Sequence, residues 1–137
     1  MIQCDCTREG ILSVAEMKEK YDAAYPAYHP APEILETLKP LLCDTKIIIV
    51  LGTWCSDSRL HLSHFFKIAD HTGIDENSLS MICVDETKKA KDGLTDQLNI
   101  VSVPTFIFMK NDKEIGRIIE TPKNTLERDI LQILTKK

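Results

Sequence analysis

The feature that most constrains the fold is a short apolar run at Lys46–Leu51, which reads K-I-I-I-V-L. The run is rich in β-branched residues and does not alternate with polar ones, which is typical of a strand buried on both faces, as in a parallel sheet. Its apolar part, Ile47–Leu51, is the longest such stretch in the chain, and it is far shorter than the roughly 20 residues of a membrane-spanning helix. The sequence therefore predicts a sheet whose central strand is covered by other elements.

The order of the predicted elements restricts the topology further. Strand patterns recur at 79–84, 103–109 and 114–119, and helical patterns lie at 60–69, at 87–98 and after Thr121-Pro122, which is the expected cap of the last helix. A strand–helix–strand unit requires two parallel strands with a right-handed crossover. Only a turn at Asn111-Asp112 separates the last two strands, which favours an antiparallel hairpin. We expect an α/β fold with a mixed sheet of four or five strands flanked by helices.

Two helices are expected before the first strand, after ten irregular residues. Ser13 and Glu16 form an S-x-x-E capping box, which predicts a helix start. The prolines within Tyr25–Pro32 should end this helix. Pro40 should end or kink the second helix, because proline cannot donate a backbone hydrogen bond.

Length and charge exclude several classes of protein. The 137 residues are enough for one domain, so we predict a single domain over 1–137, with a helical N-terminal part at 1–45 and an α/β core at 46–137. Lys and Arg number 17 against 21 Asp and Glu, and this net charge of −4 argues against nucleic-acid binding by bulk electrostatics. The N-terminus lacks the basic start and apolar stretch of a secretory signal. We therefore expect a cytoplasmic protein with no membrane partner.

The chemistry is concentrated in Thr53–Arg59 (T-W-C-S-D-S-R), where a buried strand ends and a helix begins. Sites in open α/β sheets collect beyond the carboxyl ends of strands. Cys55 should face unpaired N–H groups and the positive end of a helix dipole, and both favour the thiolate, which is the nucleophile. We expect the Ser58 hydroxyl to donate a hydrogen bond to this sulfur, whereas the charges of Asp57 and Arg59 oppose each other. The segment predicts a reactive thiol at Cys55.

This motif resembles the active site of the thioredoxin family. The sequence Trp54–Ser58 (W-C-S-D-S) stands between a buried strand and a helix, and Val103–Thr105 (V-P-T) opens a later strand, as in thioredoxins. The resemblance covers roughly Lys46 to Leu134. It implies a thioredoxin fold for the core, with residues 1–45 as an N-terminal helical extension.

The resemblance also implies roles for five residues. Cys55 matches the attacking cysteine that forms mixed disulfides, and Trp54 matches the tryptophan beside it. Pro104 matches the cis-proline that lies against the active sulfur, and the Val103 backbone is expected to pair with an extended substrate segment. Ser58 stands where the family usually has its second, resolving cysteine. The chain is thus expected to be a thiol–disulfide oxidoreductase with a monothiol Cys-x-x-Ser site.

Two departures from the family leave an alternative open. Ser58 cannot close an intramolecular disulfide, and Ile49 stands near the position of the buried acid that relays protons in typical thioredoxins. Release of a mixed disulfide on Cys55 would then need glutathione or another small thiol as co-substrate, a second protein, or Cys4 or Cys6 of this chain. No metal or organic cofactor is implied. The alternative is a non-catalytic thioredoxin-fold module that binds a protein partner through the surface around Trp54.

The other cysteines and the paired histidines are expected to be structural or exposed. The chain has five cysteines, an odd number whose spacings match no disulfide framework. Cys43 and Cys83 are expected to be small core residues. His61 and His64 are three apart on the predicted helix, and we expect them on its exposed face rather than in a metal site.

Overall fold

The elements described by the computed structural model lie in residues 7–84 and 98–135. The N-terminal part contains helices α1 (Arg8–Leu12), α2 (Ala15–Ala27) and α3 (Pro32–Leu42). Strand β1 (Lys46–Leu51), helix α4 (Ser56–Thr72), a 3-10 turn (Glu76–Ser78) and strand β2 (Leu79–Cys83) follow. Strands β3 (Thr105–Lys110) and β4 (Lys113–Ile119) and helix α5 (Leu126–Thr135) complete the order. The helix predicted at 87–98 lies outside the described residues, except for its last position.

Within those two ranges the strands form one mixed sheet in the order β2-β1-β3-β4. Strand β1 is parallel to β2 and antiparallel to β3, with Ile49 opposite both Met81 and Phe106. Strands β3 and β4 form an antiparallel hairpin. Its two turn residues, Asn111 and Asp112, have φ of 53° and 63°, as in the tight turns that match the twist of paired strands. The predicted mixed, helix-flanked sheet is confirmed.

Successive side chains of β1 enter two different apolar clusters, because they point to opposite faces of the sheet. Ile47, Ile49 and Leu51 belong to the main core, together with residues of the flanking helices. Val50 belongs to a smaller cluster on the other face, with Ile82, Val84 and Val103. The prediction that this strand is buried on both faces is confirmed.

The first helices differ from their prediction at their N-terminal ends. Helix α1 lies where irregular chain was expected, and the Thr7 hydroxyl caps it by accepting the Gly10 N–H at 2.9 Å. The Ser13 hydroxyl donates to the Gly10 carbonyl at 2.6 Å, so it closes α1 instead of capping α2. Helix α2 begins at Ala15 without a side-chain cap. The predicted capping box of Ser13 and Glu16 is therefore wrong.

A long-range ion pair accounts for the position of α1, which is too short to be stable alone. The Arg8 guanidinium bonds both carboxylate oxygens of Asp70 on α4, at 2.6 and 2.9 Å, and donates to the Tyr21 hydroxyl at 2.8 Å. Its central carbon also lies 4.5 Å from the centre of the Phe66 ring. The hydrogen bond from Arg8 lowers the pKa of the Asp70 carboxyl below its ordinary value.

Prolines lie near the ends of α2 and α3, and α2 ends at Ala27, within the segment where the sequence predicted its end. Helix α2 continues past Pro26 to Ala27, and α3 continues through Pro40 to Leu42. Both prolines lie in the last turn of their helix, where few backbone hydrogen bonds remain to be lost.

The ends of the later helices show one confirmed and one wrong prediction. Gly73, with φ of 70°, ends α4 as predicted, since the left-handed region favours glycine. Helix α5 does not begin at Thr121-Pro122. The Asp129 carboxylate accepts the N–H groups of Lys123 (2.7 Å) and Asn124 (3.1 Å) and keeps this segment outside the helix. In the described part of the chain, no helix is both long and apolar enough to cross a membrane.

Candidate functional site

The candidate site lies in the turn that joins β1 to α4. The Cys55 N–H donates to the Gly52 carbonyl at 3.0 Å, which closes the turn, and the Cys55 carbonyl accepts the Arg59 N–H at 3.0 Å. Cys55 is thus the N-cap of α4, with extended backbone angles (φ −94°, ψ 125°). Its thiol is free and partly exposed. The first N–H groups of a helix have no partners within that helix, so the sulfur lies at a locally positive position.

The loop before β3 approaches the same sulfur. The Cys55 Sγ lies 3.8 Å from the carbonyl oxygen of Val103, although 48 positions separate the two residues. The peptide bond between Val103 and Pro104 is cis. The Pro104 carbonyl accepts the Glu120 N–H at 2.7 Å, which joins this loop to the end of β4. The structure therefore brings together Cys55, Val103 and Pro104, while the roles assigned to them stay predictions.

The Trp54 side chain lies flat against the turn and is 36% exposed. Its indole Nε1 donates to the Val84 carbonyl at 2.9 Å. A Cβ atom at Gly52 would lie 2.5 Å from the indole ring, so this close approach requires glycine. Val101 and Ile119 are the other large apolar side chains that are exposed in the described part of the chain.

Ser58 does not make the contact that the sequence predicted. Its side chain is fully buried, and its hydroxyl accepts the Gly52 N–H at 3.2 Å rather than bonding the Cys55 sulfur. The reason is the path of the chain, because it brings Ser58, in the first turn of α4, within hydrogen-bond distance of the residue that follows β1. The Arg59 guanidinium similarly donates to the Thr53 carbonyl at 3.2 Å. Both side chains thus bond the backbone of the turn, and Ile49 lies in the apolar core.

His61 and His64 of α4 are not on an exposed face, so that prediction is wrong. His61 is only 8% exposed, and its Nδ1 has no hydrogen-bond partner. The His64 ring stacks on Tyr28 with 3.9 Å between ring centres, and the Tyr28 hydroxyl donates to the buried Glu127 of α5. Burial lowers the pKa of His61 and lowers that of His64 to about 4. Among the described residues, no cluster of His, Cys, Asp and Glu suits a metal ion.

The remaining cysteines divide between surface and core. Cys43, which follows the last residue of α3, is an exposed free thiol, so its predicted place in the core is wrong. Cys83 is buried in the main core at the end of β2, as predicted, but it is disulfide-bonded, although the cysteine spacings had indicated no disulfide. Cys4 and Cys6 lie outside the described residues.

Comparisons with known proteins relate this chain to thioredoxins. No protein-family model matches it. It is 25% identical to thioredoxin H9 of Arabidopsis thaliana over 93 residues, which are 66% of this chain and 62% of that protein. It is 26% identical to a thioredoxin of Malassezia sympodialis over 89 residues, which are 64% of this chain and 81% of the other. The chain thus spans less than two thirds of the plant protein's length.

Solved structures match over a larger part of the chain. Chlamydomonas reinhardtii thioredoxin f2 has a TM-score of 0.50 and 20% identity, and the match covers 72% of this chain and 90% of that one. Thioredoxin-2 of a malaria parasite has a TM-score of 0.50 and 18% identity, with 68% and 82% covered. A Pseudomonas aeruginosa protein of unknown function has a TM-score of 0.59 and 12% identity, with 94% and 95% covered. That last match includes most of the N-terminal helices.

The solved structures show the fold of this chain, and the sequence comparisons show a similarity to thioredoxins. The mixed sheet and its flanking helices are an α/β thioredoxin fold, and an N-terminal helical part precedes it. In sequence, at low identity, the chain is thioredoxin-like.

Proposed function

We propose that this chain is a thiol–disulfide oxidoreductase of the thioredoxin type that works with one active-site thiol, Cys55. The observation that carries the proposal is the position of its sulfur, which is partly exposed at the N-terminus of α4 and 3.8 Å from the Val103 carbonyl. A helix N-terminus favours the thiolate over the thiol. The likeness to thioredoxins supports the same chemistry.

The first step is thiol–disulfide exchange. The Cys55 thiolate attacks one sulfur of a substrate disulfide, and a new bond forms while the substrate S–S bond breaks. The second substrate sulfur leaves as a thiolate and takes a proton from water. Cys55 is then joined to the substrate in a mixed disulfide.

The second step needs an external thiol, because the Ser58 hydroxyl cannot form a disulfide. One equivalent of a low-molecular-weight thiol such as glutathione attacks the Cys55 sulfur and releases the substrate thiol. A second equivalent then frees Cys55 and leaves as the small-molecule disulfide. Two thiols are oxidised for each protein disulfide reduced. This requirement fits a cytoplasmic location, where small thiols are abundant.

The substrate we propose is a disulfide within an extended, apolar protein segment. The Val103 backbone lies beside the sulfur, where it can pair with an added strand. The exposed Trp54 side chain, next to Cys55 in the chain, offers apolar contact area to that segment. We assign Trp54, Val103 and Pro104 to substrate binding, and Cys55 to attack.

The test compares Cys55→Ser with Cys43→Ser. Insulin-disulfide reduction is measured with glutathione as reductant, and covalent adducts are located by mass spectrometry. We expect Cys55→Ser to abolish both reduction and adducts, and Cys43→Ser, which removes the other free thiol among the described residues, to retain both. If Cys55→Ser reduces insulin as well as the wild type does, the proposal is wrong. If it retains non-covalent partner binding and the wild type forms no adduct, the chain is a binding module.

A further inference from the structure

The turn that contains Cys55 is held by a hydrogen bond from its backbone to a side chain. The Gly52 N–H is the first donor after β1, and its acceptor is a side chain, the buried Ser58 hydroxyl, at 3.2 Å. A buried N–H must find a partner, and here the usual backbone carbonyl is replaced by one hydroxyl. The Gly52 position therefore depends on Ser58.

Gly52 in turn contacts the Trp54 ring. An added Cβ atom at Gly52 would lie 2.5 to 2.8 Å from three indole atoms, so the ring rests directly on this backbone. One of these three atoms, Nε1, also donates to the Val84 carbonyl at 2.9 Å. A shift of Gly52 would therefore move the indole. It would also move Cys55, whose N–H bonds the Gly52 carbonyl at 3.0 Å.

We propose that Ser58 is a positioning residue, whose hydroxyl fixes the Gly52 backbone and through it the Trp54 indole and the Cys55 sulfur. The oxygen of Ser58 suits this role, since sulfur is a much weaker hydrogen-bond acceptor. The catalytic consequence rests on the proposed function. The effect of Ser58 on the positions of the Gly52 backbone and the Trp54 indole does not rest on the proposed function, and it is measured separately.

The test uses amide exchange of the folded protein, followed by NMR, with two probes. One is the Gly52 N–H, and the other is the indole Nε1–H of Trp54, which gives a unique resonance because the chain has a single tryptophan. Ser58→Ala leaves the Gly52 donor unpaired, and we expect its exchange to accelerate about 5- to 100-fold. The indole resonance should shift and exchange faster in the same variant.

The matched control is Ser63→Ala. Ser63 is also on α4 and fully buried, but its hydroxyl donates to the Arg59 carbonyl at 2.7 Å. We expect this variant to leave both probes within about twofold of the wild type, because its bond joins two residues of α4 and involves no atom of Gly52 or Trp54. Equal changes in the two variants, or no change in Ser58→Ala, would overturn the proposal.

Two further measurements test the positioning role of Ser58 independently of enzymatic activity. If Ser58→Ala does not fold, the exchange rate of the Gly52 N–H is measured in the wild type. A rate equal to that of an unprotected amide would contradict the bond to Ser58. The alkylation rate of Cys55, located by mass spectrometry, should change in Ser58→Ala and not in Ser63→Ala. If the NMR probes respond and insulin reduction is absent even in the wild type, the positioning role stands and the proposed function fails.

Discussion

At the residue scale, the contact between Gly52 and Trp54 gives the sharpest prediction for a single atom. Gly52→Ala places a methyl group 2.5 Å from the indole, so the ring must leave its bond to the Val84 carbonyl. We expect a loss of about 1–3 kcal/mol in the free energy of unfolding. Tryptophan emission should shift to longer wavelength, and acrylamide should quench it more strongly.

Gly116→Ala is the control for that change. Its added Cβ would lie 2.8 Å from Ile133 Cγ2, a comparable clash between β4 and α5. Urea unfolding should show a similar loss of stability, and Trp54 emission should stay as in the wild type. An unchanged emission spectrum in Gly52→Ala would contradict the observed packing of the ring.

Position 58 gives a second residue-scale prediction. Ser58→Cys supplies a second thiol three residues after Cys55, and thioredoxin-type exchange could then resolve the mixed disulfide within the chain. Insulin reduction should rise above the wild-type rate in spite of the weaker acceptor for Gly52. Ser63→Cys, eight residues from Cys55, should produce no rise. Equal rates for wild type and Ser58→Cys would contradict the claim that the lack of a second active-site thiol limits the wild-type rate of insulin reduction.

At the element scale, α4 makes stability depend on pH through the imidazoles of the buried His61 and the half-buried His64. The pKa of His64 is lowered from 6.5 to about 4 by burial, and that of His61 is lowered by the same cause. The unfolded chain binds protons that the folded state excludes, so the free energy of unfolding falls as pH drops from about 6.5 toward 4. Urea midpoints measured across that window should decrease steadily.

The carboxylates act in a different pH window, which keeps the histidine effect separate. Hydrogen bonds from Arg8 and Arg117 lower the pKa values of Asp70 and Glu114 from ordinary values of 3.8 and 4.5. Their contribution is present above those values and is lost only as pH falls below them. His64→Gln should therefore flatten the slope between pH 6.5 and 5. A wild-type midpoint that stays constant over this range would contradict the burial of the histidines.

Several features of the helices could not be predicted from local sequence patterns. Helix α1 depends on Arg8 and Asp70, which are 62 positions apart, so no local pattern predicts it. Ser13 has the capping-box spacing, but its hydroxyl bonds the carbonyl of Gly10 behind it. The burial of His61 and the partial burial of His64 were missed because α2, α3 and α5 all pack on α4. Polar residues on a helix are normally expected to face solvent, so their positions gave no sign that other helices cover them.

At the scale of the whole molecule, two of the strand pairs, β1 with β2 and β3 with β4, followed from the sequence because each signal was local. The unbroken apolar run of β1, the turn at Asn111-Asp112 and the intervening helix pattern fix the parallel and antiparallel pairs. The approach of Val103 to Cys55 was expected only through the resemblance to thioredoxins. The bond from Gly52 to Ser58 was missed, because it depends on the exact path of the backbone between β1 and α4.

The central claim is that position, rather than exposure, makes Cys55 the reactive thiol. Cys43 provides the comparison within the same molecule, since it is a free thiol and more exposed than Cys55. The folded protein is treated with glutathione disulfide, and the mixed disulfides formed at each cysteine are timed by mass spectrometry. We predict that the adduct forms first at Cys55. An adduct that forms first at Cys43, with Cys55 unmodified, would contradict the account.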